Sequence, residues 1–163
     1  MTGPVQLQLI PRNDALLEAL QSLPPIPDLQ AQVLAAVGAG DLEAFRSVPI
    51  LGFHVVIGVD VAAIYLVTDR VFALFEANAM GRSYTLTVAL TRLRRVGRLE
   101  DADYTRLVME LEADKSTSVA SIDADGRSEG QIIPAGYELV ESDARGRLSL
   151  RQFQLALSAA LSL

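Results

Sequence analysis

Residues 61–98 read VAAIYLVTDRVFALFEANAMGRSYTLTVALTRLRRVGR, and the reading of this stretch decides the fold. Two apolar runs, 62–67 and 71–75, are separated only by Thr68, Asp69 and Arg70. A polar turn over 78–83 leads into a third run over 84–90. β-Branched and aromatic residues are frequent, and each run is too short for an independent helix. The stretch therefore predicts a meander of antiparallel strands.

Outward from it, β structure extends from 51 to 123. Strands are predicted over 53–58, 62–68, 70–77, 83–89, 93–99, 104–113 and 116–123, with turn signals at 58–60, 78–81, 100–103 and 113–115. Seven short strands at such spacings predict an antiparallel sandwich or barrel. In the sixth, Leu107, Met109 and Leu111 alternate with Arg106, Val108, Glu110 and Glu112, so one face is mostly wet. Residues 124–147 read as a loop, from which Ile132, Ile133, Tyr137, Leu139 and Val140 lie down on the core. A last helix is expected from a capping box of Ser149 and Gln152, with Leu150, Phe153, Leu157, Ala160 and Leu161 on its apolar face.

The first third is helical in pattern. Residues 1–12 form a short arm, in which Val5, Leu7 and Leu9 alternate with Gln6 and Gln8 between Pro4 and Pro11. Asn13 caps a helix over 14–23, ended by Pro24, Pro25 and Pro27. A second helix begins near Asp28 with Leu29, Val33, Leu34 and Val37 as its stripe, and Gly38 and Gly40 close it. Asp41 caps a third over 42–46, with Leu42 and Phe45 facing inward. The organisation expected is a helical extension over 1–49 and a β unit with its C-terminal helix over 50–163.

Composition narrows the function. Half of the 163 residues are hydrophobic, enough for a sizeable core, but only 6% are aromatic and Trp is absent, so that core is aliphatic. A formal charge of −6 disfavours nucleic acid as a partner. The absence of cysteine excludes disulfides, thiolate metal sites and thiol nucleophiles, and suits a cytoplasmic location. No secretory leader pattern occurs at the N-terminus, and the longest apolar run, 61–67, falls far short of the roughly 20 residues of a membrane span.

Seven antiparallel strands followed by an amphipathic helix is the element order of the pleckstrin-homology-like barrel. The text of residues 65–72, YLVTDRVF, resembles the strand pair of bacterial pleckstrin-homology-type and GRAM-like domains. Residues 86–96, LTVALTRLRRV, resemble the segment in which those domains pass into their second sheet, and residues 105–109 sit where the next strand begins. The resemblance covers 51–123 and 148–162. It implies a partly open barrel plugged by its last helix, a binding module without catalytic residues. The turn at 58–61 lacks the basic residues with which lipid-binding members hold inositol phosphates, so that activity is not implied. Residues 36–45, AVGAGDLEAF, resemble instead the helix pair that opens the scytalone-dehydratase and polyketide-cyclase cone fold. That resemblance implies a small enzyme or ligand carrier with His54 at its pocket, paired with Asp60 or Asp69. The cone ends on strands, however, and the helix expected after Ser149 favours the barrel.

Few residues carry chemistry. Arg92, Arg94, Arg95 and Arg98 form the strongest charge cluster, a candidate patch for an anionic protein surface, phosphate or lipid headgroup. A solvated strand edge guarded against aggregation is the simpler account of them, since Glu100, Asp101 and Asp103 follow at once and partly neutralise the cluster. His54 is the only histidine, which rules out a multi-histidine metal site, and a lone histidine in a strand is more often structural than catalytic. Asp123, Asp125 and Gly126 fail as a calcium loop, because Ile132 falls where the bidentate carboxylate belongs. Gly38 and Gly40 follow a helix with no Lys-Ser/Thr pair after them, so they are helix punctuation and not a phosphate cradle. No G-x-S-x-G elbow occurs. The expectation is a non-enzymatic binding or scaffolding domain without a cofactor, whose partner is another protein or a second copy of itself.

Overall fold

A computed structural model of the chain describes residues 15, 16, 18, 33, 34, 38–78, 80–112, 117–122, 125, 127 and 135–162. Two α-helices are described from end to end, α1 (Leu42–Arg46) and α2 (Ala144–Leu161), with eight strands. The strands are β1 (Ile50–Ile57), β2 (Val61–Thr68), β3 (Val71–Asn78), β4 (Ser83–Ala89), β5 (Leu93–Glu100), β6 (Thr105–Leu111), β7 (Ser118–Ile122) and β8 (Gly136–Glu141). All pairings are antiparallel. One sheet has the order β1-β2-β3-β4-β7 and the other β5-β6-β8.

The meander predicted from residues 61–98 is present. The turn between β2 and β3 is held by Thr68 Oγ1, which accepts from the backbone N–H groups of Arg70 and Val71 at 3.1 Å each. At the opposite end of β3, Asn78 Oδ1 accepts from the N–H groups of Met80 and Arg82 at 3.0 Å each, and Gly81 supplies a φ of 85° that other residues rarely adopt. A 3₁₀ turn, Leu90–Arg92, then carries the chain from the first sheet into the second. β7 returns to the first sheet beside β4, and β8 returns to the second beside β6.

β2 is buried from Ala62 to Thr68 without interruption. The reason is that both faces of the five-stranded sheet are covered. Ala63, Tyr65, Val67, Phe72, Leu74, Leu86 and Val88 face a core shared with the second sheet and α2. Ala62, Ile64, Leu66, Ala73 and Phe75 face a second core with Leu16, Val33, Ala39 and Phe45 from the N-terminal third. A strand wet on neither face has no reason to alternate, so its sequence reads as a continuous apolar run. The described residues of that third fit the expected helices: Ala15, Leu16, Glu18, Val33 and Leu34 are helical. Asp41 caps α1, its carboxylate accepting from the Ala44 N–H at 2.8 Å, and Phe45 is fully buried. The arm expected over 1–12 and the proline-rich break at 24–27 lie outside the described residues.

Three expectations are corrected. The strands form two antiparallel sheets of an α+β fold that are not closed into a barrel, and among the described residues they number eight. The additional strand, β8, lies inside the segment read as loop; Tyr137 and Leu139 reach the core from it, whereas Val140 is 46% exposed. Ile132 and Ile133 lie outside the described residues. The last helix begins at Ala144, with Asp143 as its cap accepting from the Gly146 N–H at 2.8 Å, so Ser149 is an interior helical residue and no capping box forms. Its buried face is Leu150, Phe153, Leu157 and Ala160 as expected, but Leu161 is 38% exposed.

α2 packs chiefly on β1 and also touches β2, β5, β6 and β8, so it bridges the two sheets. The approach to β1 is close. A Cβ at Gly52 would stand 2.6 Å from Cβ of Ala156, so glycine is required for that contact.

Candidate functional site

His54 lies on β1 opposite Tyr65 of β2, on the face that looks toward α2. Its ring is 1% exposed and stands between Tyr65 and Phe153, each at 6.5 Å between centroids. Nε2 is 2.9 Å from Oε1 of Glu141 at the end of β8, and Nδ1 is 2.8 Å from Oγ of Ser149 in α2. An ionised carboxylate only accepts, so Nε2–H donates to Glu141, and in the tautomer that carries its proton on Nε2 alone Nδ1 accepts from the Ser149 hydroxyl. One buried side chain thereby joins β1, β8 and α2. Gly146 belongs to the same arrangement, because a methyl group there would overlap the Glu141 carboxylate.

A second set of contacts clamps the start of α2 on the β5–β6 turn. Arg147 donates to Thr105 Oγ1 at 3.0 Å, to the Ala102 carbonyl at 3.0 Å and to the Asp101 carbonyl at 2.9 Å. Arg151 donates to Glu100, and this bond holds the Glu100 carboxyl below its ordinary range. Asp101 is also lowered, by accepting from the N–H groups of Asp103 and Tyr104 at 2.8 Å each. Deeper in the core, burial pushes the Tyr65 phenol up to about 12, with the Glu76 and Glu141 charges adding to it. Tyr137 is raised too, by burial and by its hydroxyl bond of 3.1 Å to Tyr84.

The chemistry open to this cluster is limited. A serine, a neutral imidazole and a carboxylate in line can relay a proton, the arrangement that activates a nucleophile. Ser149 is partly exposed, but the base beside it is sealed, and a leaving group would have to reach that ring to take its proton. The carboxylates weighed as His54 partners, Asp60 and Asp69, are exposed on turns and make no bond to the ring. Local spacing could not find Glu141 and Ser149, which lie 87 and 95 residues from His54 along the chain. Among the described residues no group of three or more His, Cys, Asp or Glu side chains could hold a metal ion. Asp125 is exposed, and Asp123 and Gly126 lie outside the described residues.

The arginine cluster divides. Arg92 belongs to the 3₁₀ turn, whereas Arg94, Arg95 and Arg98 lie on β5. Arg94 pairs with Glu112, Arg95 with Glu110 at 3.7 Å and Arg98 with Glu100 at 3.9 Å. Each β5 guanidinium therefore already faces a carboxylate of its own chain, which lowers the field available to an anionic partner. A groove of about 610 Å³ opens beside β6 and β8, where Glu110, Glu112 and Glu138 outnumber Arg94. No described helix is long and apolar enough to cross a membrane.

The chain matches no protein-family model, no curated protein and no solved structure.

Proposed function

We propose that the chain is a non-enzymatic, self-assembling binding or scaffolding domain of the cytoplasm. One observation carries the reading: the only histidine is 1% exposed with both ring nitrogens engaged inside the fold. The residues best suited to chemistry hold α2 in place, while large apolar side chains remain outside, among them Leu148 and Leu155 on α2 and Val59 on the β1–β2 turn. Light scattering on the intact chain tests it. A mass above the 17.5 kDa monomer that grows with concentration is expected, and a monomer at every concentration overturns self-assembly.

The alternative of a small enzyme with His54 at its centre has one observation in its favour, the line Ser149–His54–Glu141. A serine-directed fluorophosphonate separates the two. The binding domain leaves Ser149 unlabelled in the folded protein, whereas the enzyme forms a stable phosphonyl ester at Oγ that His54→Gln abolishes.

A further inference from the structure

The outward face of α2 is unusual for a helix in a chain of which 21% is charged. Arg145, Leu148, Gln152, Leu155, Ala159 and Ser162 are exposed, Leu148 at 54% and Leu155 at 62%. Their spacing alternates between three and four residues, which draws one stripe along the helix with the repeat of a coiled-coil seam. The inward face is already occupied by Leu150, Phe153, Leu157 and Ala160, so the outer stripe serves nothing within the described fold. Apart from Arg145 at its start, the stripe carries no charge.

We propose that α2 pairs antiparallel with α2 of a second copy of this chain along that stripe. This rests on the self-assembly reading above and names its interface. The stripe is complementary to its own reverse. With the helices antiparallel about a two-fold axis between Gln152 and Leu155, Leu148 faces Ala159 of the partner subunit, and Gln152 faces the partner's Leu155. Both of these layers set a leucine against a smaller or more flexible side chain, as interdigitation requires.

Charge selects the direction. Arg145 lies in the first turn of α2, at the positive end of its own helix dipole and beside the Asp143 cap, and the last turn contains no base. Antiparallel pairing brings Arg145 to the partner's Ser162, where the last carbonyls of that helix carry negative partial charge. Parallel pairing would set two Arg145 side chains side by side. Two helices of 18 residues meeting along one stripe form a small interface, so the dimer is concentration-dependent.

The test uses the intact chain, which has no native cysteine and so accepts unambiguous reporters. In sedimentation equilibrium the wild type is expected to approach twice 17.5 kDa, and Leu148→Glu/Leu155→Glu to remain at the monomer mass, while Leu99→Glu on the second sheet still dimerises. Since a variant can fail by unfolding, the orientation is read separately by disulfide capture. A mixture of Leu148→Cys and Ala159→Cys chains is expected to cross-link to each other, and Leu148→Cys chains alone to remain uncross-linked. Association that survives in Leu148→Glu/Leu155→Glu overturns this interface and leaves self-assembly standing. Cross-linking of Leu148→Cys with itself overturns the antiparallel register, and a monomeric wild type overturns both readings.

Discussion

β2 and β5 are both eight-residue strands, yet β2 is buried from Ala62 to its end, whereas β5 buries only Leu93. The difference is one of coverage. β2 lies inside a sheet packed on both faces, and β5 is an outer strand of a sheet with one packed face. The outward face of the second sheet carries Arg106 paired with Glu138 at 3.1 Å, and Leu99 there is 62% exposed. Stability therefore concentrates in the first sheet, and the second has a surface that tolerates change.

The largest break in that contrast is expected from truncating the doubly packed core. Phe72→Ala or Leu66→Ala, both at fully buried positions, should cost about 2–5 kcal/mol in urea unfolding. The same truncation at exposed Leu99 should stay within about 0.5 kcal/mol. Equal losses at Leu66 and Leu99 would show that coverage does not govern the two sheets.

A smaller effect is expected where α2 ties the sheets together. Ser149→Ala removes the hydroxyl bonded to a buried ring nitrogen and should lower stability by about 1–3 kcal/mol without changing self-association. A loss of association with unchanged stability would place Ser149 at an interface instead.

Alkaline unfolding sharpens the picture of the core. The Tyr65 phenol titrates near 12 in the fold against an ordinary 10.0, so between those values the unfolded chain releases its proton first. Its contribution is fully present below pH 10 and lost as pH rises through 12. Denaturant melts should weaken across that window, and Tyr65→Phe should flatten the decline. The smallest effect belongs to the surface: the coupling of Arg106 and Glu138 in a double-mutant cycle should be below about 1 kcal/mol and fade with added salt.

Much of the layering was legible in the sequence, because apolar runs and turn residues are local signals. β1 to β7 and the inward face of α2 follow from them. β8 escaped because its alternation, Tyr137 and Leu139 inward against Glu138 and Val140, is short and adjoins glycine- and proline-rich text. The start of α2 escaped because Gly146 in its first turn argues against a helix, while Ser149 and Gln152 mimic a cap. A side chain at Gly146 would meet the Glu141 carboxylate, which occupies the space beside it. The His54 cluster was illegible for another reason: β1, β8 and α2 meet only in the folded chain. A histidine and two distant polar residues have no spacing to read.

The role of His54 as a sealed structural tie is tested most directly by nitrogen-15 NMR of its ring. A protonated Nε2 whose hydrogen exchanges slowly with water, beside an unprotonated Nδ1, is the predicted result. A ring proton in fast exchange with solvent would contradict it and place an accessible base beside Ser149.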